Sequence, residues 1–520
     1  MSSPSPNSSP DSSPSSSLIR RLRIAANRRV DGSSLVLFRI IFGLVIAWEI
    51  LRYIDHGWVA KYYIAPSFHF KYWPFDFVHA WPGQGMYWHF AITGIAGLAM
   101  ALGVRYRLAA ITVFLGIGWV FLLDQTRYLN HIYLVVLIAL LMIFMPVDRM
   151  ASLDPWRRRS GDATIPAWSL WLMRFQIGVP YFFGGVAKLN GDWLRGEPLT
   201  TWLARKTHFP LLGPLFDEPP VAMMMAYGGL LLDLGAPLLL LWHRTRLPVF
   251  IAVVGFHLMN SGLFKIGIFP WLMMLGTTLF FPADWPRRMW RDLQQENRRA
   301  WLGSLFGMGI GVVLGNVVPS TPSGIHSMAA GLIGAFLGHQ IATPRLAATP
   351  VFEGPDEAGP EPRPLATSTS LLLALWVATQ ILLPLRHFAY PGNVHWTEEG
   401  HLYSWHMKLR SKRGSLDFVV TNTQTGQTWA LDPKQILAKK QVSRMAGRPD
   451  MIVQFAHHLA HSLEQEHGAP FEVRARGECR LNDRASAPLV DPSVDLAQIS
   501  RPWLPPADWI SRYPPEPRPD

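Results

Sequence analysis

The amino-acid sequence predicts a multi-span α-helical integral membrane bundle, followed by a small β-rich (α+β) domain outside the cytoplasm. Of the 520 residues, 49% are apolar and only 16% are charged, which is too apolar for one soluble domain. Apolar runs of membrane length recur along the chain, with arginine clusters between them. Beyond residue 388 the pattern changes to short alternating runs that are typical of strands.

The N-terminal residues 1–33 are predicted to be a disordered, basic cytoplasmic segment. They are rich in Ser and Pro as far as residue 17, and SLIRRLRIAANRR then adds five arginines. The next apolar run, about 34–53, is too long for the core of a signal peptide and contains Arg39 and Glu49. It also lacks a small-residue cleavage site, so we predict an uncleaved membrane span.

Ten more apolar runs follow, giving eleven candidate spans in all. Each can cross about 30 Å of hydrocarbon, the shortest only just. They lie at about residues 86–103, 106–123, 131–147, 167–187, 219–242, 247–263, 266–281, 302–318, 323–343 and 368–385.

The arginine distribution predicts the orientation. With a cytoplasmic N-terminus, the inside loops hold VRYR, DPWRRRSGD, HRTR and DWPRRMWRDLQQENRR, and the outside segments are poorer in arginine. An odd number of spans then places residues 388–520 outside the cytoplasm. The net charge of +12 follows from this loop pattern, so we predict a lipid bilayer as partner and no nucleic acid.

Composition shifts divide the chain into regions. We predict a core transmembrane domain (34–300), an appended Gly-rich transmembrane hairpin (301–343), a cytoplasmic linker (344–367), a last transmembrane helix (368–387), an extracytoplasmic β-rich domain (388–500) and a Pro-rich tail (501–520). Inside the β-rich domain, LYSWHMKL, SLDFVVTN, QTWAL and FEVRARGECRL predict strands, and PDMIVQFAHHLAHSLEQE predicts an amphipathic helix.

The span at 167–187 carries the first candidate for chemistry. It ends at a lone lysine, Lys188, and Asp192 and Trp193 follow at once. One interpretation is an anchor whose ammonium reaches the lipid headgroups. The other is a desolvated amine that acts as a base, because burial disfavours the ammonium form. The span alone leaves both open.

Further polar residues lie at membrane depth and must face the bundle interior, a partner or a cavity. Three polar clusters converge on the outer side, which a purely structural protein would not need. The polar residues at depth are Arg39, Glu49, Arg174, Asp233 and His257, and the outer clusters bring Asn130 with His131, Lys188, and His257 with Asn260. For any single histidine, a structural hydrogen bond is the plain alternative. The spacing offers no metal-ligand pattern, and the single cysteine, Cys479, excludes an internal disulfide and a cysteine-based metal site.

Six stretches between Leu35 and a point beyond Trp405 resemble motifs of one known protein family and occur in the same order as in that family. They read FRIIFG, DQTRYLNHIYL, YFFGGVAKLNGDW, GGLLLDLGAPLLLLW, FHLMNSGLFKIGIFPW and WTEEGHLYSWHMKLR. The sequence resembles the vitamin K-dependent γ-glutamyl carboxylase family in a cysteine-poor form, which implies the inner membrane of a bacterium.

The resemblance implies roles for individual residues. The second lysine of the family's KKL motif is the base, and here that position is Lys188, after Ala187. The family's Asn-His pair falls on Asn130 and His131, which would hydrogen-bond the quinol oxygens. The remaining candidates for binding quinol or substrate are His257, Asn260, Arg174, Trp193, Tyr403 and Trp405.

The implied reaction couples the oxidation of a quinol to the carboxylation of a glutamate. Lys188 would deprotonate a naphthohydroquinone, reduced vitamin K or a menaquinol, and O2 would add to it. The rearranged alkoxide would remove the γ-proton of a glutamyl residue, whose carbanion takes up CO2 while the quinol leaves as its epoxide. The chemistry needs a dry pocket, because water would quench the strong base. A glutamate-containing protein or peptide and a quinone reductase are the implied partners, and no metal takes part.

Two differences from the family and three alternatives accompany this expectation. Eukaryotic members join the membrane part to the outer domain by a disulfide, which one cysteine forbids here, and the lysine doublet is broken. The alternatives are a quinol epoxidase or oxidase without carboxylation, a quinone or lipid carrier without chemistry, and an assembly factor that acts through its outer domain.

Overall fold

A computed structural model describes residues 14–148, 151–153, 164–264, 266–317, 323–343, 363–500 and 507–513 of the chain. Each of the eleven apolar segments singled out in the sequence coincides with a helix. The membrane part contains α1 (Pro14–Asn27), α2 (Ser33–Asp55), α3 (Gly85–Leu102), α4 (Tyr106–Leu123), α5 (Asn130–Phe144), α6 (Ala167–Lys188), α7 (Gly191–Leu194), α8 (Leu199–Leu203), α9 (Pro219–Leu239), α10 (His243–Leu263), α11 (Phe269–Thr277), α12 (Trp285–Gln294), α13 (Arg298–Val317), α14 (Ser323–Ala342) and α15 (Thr367–Leu385).

Within the described ranges, six helices are long and apolar enough to cross a membrane. They are α2, α3, α4, α9, α10 and the segment Thr367–Ala389, which contains α15. α5 and the segment Phe269–Phe280 are shorter apolar helices. α6 is long but less apolar, because it carries Arg174, Gln176 and Lys188, all of them buried inside the bundle. The chain is therefore a multi-pass membrane protein, and the polar side chains of α6 face the interior of the bundle.

The appended hairpin is held by glycines. A Cβ on Gly307 or Gly338 would collide with the backbone of the opposite helix, so α13 and α14 pack backbone against backbone. Their outward side chains, such as Phe306 and Leu332, are exposed.

The segments expected on the cytoplasmic side contact one another. β1 (Arg29–Asp31) pairs antiparallel with β2 (Thr164–Pro166). Arg23 donates to the Leu365 carbonyl at 2.8 Å, and Asn27 donates to the Arg363 carbonyl at 2.9 Å. Residues 14–27 therefore form a helix where the sequence led us to expect disorder, because these polar contacts hold it to the chain before α15. Residues 1–13 and most of the expected linker lie outside the described residues.

The C-terminal domain is a three-stranded antiparallel sheet covered by a helix. The strand order is β4 (Thr428–Leu431), β3 (Lys412–Asn422), β5 (Phe471–Leu481), with Phe418 paired to Leu431 and to Ala475. The short α16 (Val394–Thr397) and α17 (Lys439–Met445) precede α18 (Pro449–His467), which buries Phe455 against the sheet. The β-rich domain, its amphipathic helix and three of the four expected strands are confirmed.

The fourth expected strand, LYSWHMKL, is wrong. Tyr403, Trp405 and Lys408 have φ angles of 64°, 58° and 52°, which an extended strand cannot contain. The alternating pattern arises because this loop lies between the two domains: Trp405 is fully buried, with its ring 5.0 Å from that of Tyr133 on α5.

Part of the expected Pro-rich tail belongs to the C-terminal domain. Ser511 accepts a hydrogen bond from Trp396 Nε1 at 2.9 Å, and Ile510 bridges to Val490. Residues 501–506 and 514–520 lie outside the described residues.

Two of the loops expected outside the cytoplasm contact the C-terminal domain through hydrogen bonds. Gln441 donates to the Phe68 carbonyl at 2.8 Å, in the connection between α2 and α3. Arg484 binds both carboxylate oxygens of Asp192 at 2.7 and 2.8 Å, and Asn482 adds a bond at 2.6 Å. We call Asp192 with Asn482 and Arg484 the domain joint. The domain joint links the two domains non-covalently in a chain whose single cysteine cannot form an internal disulfide.

Candidate active site

Close packing of α6 against α9 builds the centre of the site. A Cβ on Gly185 would lie 2.7 Å from the side chain of Leu234, and one on Gly178 would lie 3.3 Å from Pro237. Glycines at these positions let the two helix backbones approach. The approach brings Lys188, at the end of α6, against Asp233 in α9.

Lys188 ends in a buried ion pair. Its Nζ donates to Asp233 Oδ2 and to the Gly184 carbonyl, the latter at 3.3 Å, and the Trp193 ring centroid lies 5.3 Å from Nζ. The two paired side chains are only 7% and 6% exposed. A lysine anchored in the headgroups would have an exposed ammonium. The burial of Lys188 therefore favours the other interpretation, a desolvated amine that acts as a base.

A cavity of about 1240 Å³ surrounds this pair and extends to the C-terminal domain. Met407 reaches into it from the loop between the domains, with its terminal carbon 3.3 Å from the Cβ position of Gly184. Of the residues predicted from sequence, the structure brings together Lys188, Asn130, His131, Trp193, His257 and Asn260 in the lining of this one cavity.

Two histidines flank one phenylalanine in the wall. His131 and His257 have ring centroids 6.3 and 6.1 Å from that of Phe269. His257 Nε2 is hydrogen-bonded to the Tyr181 hydroxyl at 2.6 Å. His131 Nε2 lies 3.6 Å from the Cβ position of Gly267, whose φ of 58° favours glycine.

Asn130 connects the membrane wall to the C-terminal domain. Its Oδ1 accepts from the Tyr128 hydroxyl at 2.9 Å, and its Nδ2 donates to the His406 carbonyl at 3.2 Å. The same Tyr128 hydroxyl accepts from the backbone of Tyr403 at 2.8 Å. The Asn130 amide therefore sets the position of the interdomain loop.

Three predicted residues lie elsewhere. Arg174 donates to the carbonyls of Leu279 and Phe281 at 2.6 and 3.1 Å, which secures the chain after α11. Tyr403 and Trp405 pack on Tyr133, at 4.9 and 5.0 Å between ring centroids, and support the wall from behind. None of the three is in the cavity lining.

The outer half of the cavity is strongly cationic, which the sequence did not reveal. Among the described lining residues, Glu49 and Asp233 are the acidic side chains, whereas many more are cationic. We call the following set the cationic wall: Arg52, Arg127, Lys408, Arg410, Lys440, Arg444 and Arg448. Its members are scattered between residues 52 and 448, so no local sequence pattern could predict that they line one cavity. Asp233 was noticeable as an acid in an apolar span, but its partner was not.

Crowding of like charges is visible in the wall. Burial, followed by the nearby charges of Arg127 and Arg444, lowers the pKa of Lys440 to about 8. Burial, followed by the charge of Arg448, lowers the pKa of Arg444 to about 10. A bound anion would relieve this repulsion, so the wall is suited to a carboxylate.

Two histidines of the interdomain loop complete the outer lining. Burial lowers the pKa of His401 and of His406 well below the usual value, so both imidazoles are neutral at physiological pH. Within the part of the chain that the structure describes, no group of three or more His, Cys, Asp or Glu side chains is arranged around a metal position.

Comparison with known proteins gives two matches that follow the same division. Residues 27–285, which contain Lys188, Asp233 and His131, match the HTTM domain. Residues 366–516, which contain the interdomain loop, match the lumenal domain of vitamin K-dependent gamma-carboxylase. No solved structure matches the chain. With a helical membrane bundle, an extracytoplasmic C-terminal domain and both family domains in order, the chain belongs to the vitamin K-dependent gamma-carboxylase family.

Proposed function

We propose that the protein is a vitamin K-dependent gamma-carboxylase. It oxidises a naphthohydroquinone to the epoxide with O2, and it uses the strong base so formed to carboxylate a protein glutamate with CO2. The observation that carries this proposal is the Lys188–Asp233 pair, buried in a cavity that continues to the C-terminal domain.

The cavity fits a bicyclic quinol and a second occupant. Small-molecule sites commonly have about 300–1000 Å³, and this one is larger. Trp193, Phe256 and Phe269 give aromatic surfaces, and Lys188 and His131 place polar groups among them. When bound, reduced vitamin K supplies the reaction with O2 that generates the strong base.

Lys188 acts as the base through its partner. As an ammonium, its nitrogen has no lone pair to accept a proton. A proton that moves along the hydrogen bond from Nζ to Asp233 Oδ2 leaves a neutral pair, and desolvation at this depth penalises the two charges. The free amine of Lys188 then takes the proton from a quinol hydroxyl. Asp233 therefore has a part in the proposal that the sequence did not assign.

Other side chains receive the charge that develops and exclude water. His131 and Asn260 line the cavity and can hydrogen-bond quinol oxygens. The His257–Tyr181 bond holds two further polar groups in the same wall. The aromatic side chains beside Lys188 exclude water from its immediate surroundings, which protects a strong base.

The cationic wall favours carboxylation over quinol epoxidation alone. Epoxidation needs no anionic substrate, whereas a glutamyl side chain brings one carboxylate and its product carries two. Arg410, Lys440 and Arg444 belong to the C-terminal domain, so a peptide that approaches from that side meets the wall first. We propose a glutamate-containing protein as the substrate and a bacterial inner membrane as the location, with a quinone reductase to regenerate the quinol.

The deciding experiment uses purified protein in lipid nanodiscs with reduced vitamin K, labelled bicarbonate and a glutamate-rich peptide. Lys188→Arg keeps a cation but gives a group that stays protonated. We expect Lys188→Arg and Lys188→Ala to abolish epoxide formation and label incorporation while the protein still folds and binds quinol. A small amine should restore part of the turnover of Lys188→Ala.

A matched control is Lys412→Arg, because Lys412 is also a buried lysine paired with an acid, Glu398 at 3.3 Å, but does not line the cavity. Near-parent epoxidation in Lys188→Arg would remove Lys188 from the mechanism. Epoxide without labelled peptide would favour the epoxidase alternative, and quinol binding without turnover would favour a carrier.

A further inference from the structure

The cavity reaches the outer surface of the bundle between α9 and α10. Met224 lines the cavity and is nevertheless 69% exposed. Gly228, one turn further along α9, and Gly255 on α10 are also exposed residues of the lining. Leu231, on the same face of α9, is 69% exposed and does not line the cavity, so this face is an outer face of the protein.

Glycines keep this gap open. Apart from the backbone of its own helix and its two chain neighbours, neither Gly228 nor Gly255 has an atom within 4 Å of its Cβ position. The two glycines lie at similar depths, because Gly228 is about two and a half turns from the start of α9 and Gly255 about two turns from the end of the antiparallel α10. Space is therefore present on both sides of the gap at one level.

The gap connects hydrocarbon with the buried ion pair. α9 and α10 are both apolar and long enough to span a membrane, so lipid chains face their outer surface. Leu232 and Asp233 follow Gly228 and Gly229 by one turn, and all four line the cavity. The remaining edges of the gap carry the flexible apolar side chains Met225 and Met259.

We propose that the gap between α9 and α10 is a lateral portal through which a lipid-soluble quinol enters from the bilayer. Its isoprenoid tail remains in the portal while its ring lies beside Lys188. The identity of this ligand rests on the proposed function. A long apolar tail favours this route, because each methylene that leaves the hydrocarbon for water adds to the energetic cost.

Kinetics with two quinols test the portal. Gly228→Phe and Gly255→Phe fill the gap, and Gly309→Phe is the matched control, since Gly309 on α13 is equally exposed with open space at its Cβ position. Turnover is compared between a long-tailed quinol in the bilayer and a tail-less quinol added from water. The ratio of kcat/KM, long-tailed over tail-less, should fall about tenfold in the portal variants, which is about 1.4 kcal/mol, and stay at the parent value in Gly309→Phe. An unchanged ratio in the portal variants would overturn the proposal.

Photolabelling of the parent protein keeps this test independent of turnover and of variant folding. A quinone with a diazirine on its tail is bound, irradiated and mapped by mass spectrometry. We expect labels on α9 around Met224 and on α10 around Met259. Such labels without epoxidation would support the portal and refute the proposed function. Turnover with labels confined to other helices would refute the portal and leave the proposed function standing.

Discussion

Removing one partner of the buried Lys188–Asp233 pair should destabilise the protein strongly, whereas removing both should not. Asp233→Asn keeps the shape of the side chain and leaves the Lys188 ammonium without a counter-ion. Because both side chains are less than 10% exposed, solvent screens the pair little, and breaking such a pair typically costs about 3–5 kcal/mol. The Trp193 ring lies 5.3 Å from Nζ in the parent already, so its cation–π contact does not offset this cost. We therefore expect a loss of about 3–5 kcal/mol in the free energy of unfolding.

A double-mutant cycle isolates the interaction. Lys188→Met should also destabilise, because it leaves the Asp233 carboxylate buried alone. The double variant Lys188→Met/Asp233→Asn should be more stable than the two single losses together predict, by about 2–3 kcal/mol. Unfolding in detergent is followed by tryptophan fluorescence, and epoxide formation is measured on the same samples. We expect the double variant to regain stability and to remain inactive.

A control pair calibrates the assay, and additivity would refute the reasoning. Asp284 pairs with Arg288 at the start of α12, where the side chains are 26% and 29% exposed, so Asp284→Asn should cost no more than about 1 kcal/mol. If the losses at Lys188 and Asp233 simply add, the two residues are not coupled, and the proton cannot be shared between them.

Three further predictions concern His131 in the cavity lining, the domain joint and the topology. His131→Ala should lower epoxide formation, measured by chromatography, while expression and the midpoint of thermal unfolding stay close to the parent; failure to fold would instead favour a structural histidine. At the joint, desolvation opposes the charged form of Asp192, but the hydrogen bonds and charge of Arg484 outweigh it and hold the pKa below the usual 3.8. Because the pKa of Asp192 is lowered in the folded state, the joint is complete at neutral pH and is lost only as the pH falls through that lower value. Limited proteolysis of the parent should therefore release the C-terminal domain only in strong acid. The variant Arg484→Leu should release it at neutral pH too. A reporter fused after Arg410 should score as extracytoplasmic, and a cytoplasmic score would contradict the arginine pattern.

The helices and the position of Lys188 could be predicted because both depend on local pattern. Apolar runs of membrane length determine the spans, and a lysine that ends such a run is conspicuous. The pairing of Lys188 with Asp233 depends instead on Gly185 and Leu234, which allow two helices distant in sequence to approach. The sequence showed that Asp233 needed a polar environment, but not which residue would supply it.

Two misplacements have simple geometric causes. Arg174 lies about two turns into the helix that Lys188 ends, and fourteen residues of helix separate them by about 21 Å, so one cavity wall does not contain both. The loop at residues 402–409 alternates in polarity as a strand does, but its apolar side chains, such as Tyr403 and Trp405, pack against the membrane bundle and not against the sheet of the C-terminal domain. Periodicity reports which side chains are buried and not against which surface they are buried.

The domain joint makes the assembly of the two domains independent of redox conditions. The single thiol, Cys479, is buried, and burial raises its pKa, which leaves little thiolate to react with oxidants. Asp192, Asn482 and Arg484 join the domains without a covalent bond, so assembly needs no oxidant and no disulfide exchange, and it proceeds at any redox potential. A reduced disulfide, in contrast, needs an oxidant before it can form again. If acid breaks this joint, it re-forms without a catalyst when the pH rises again.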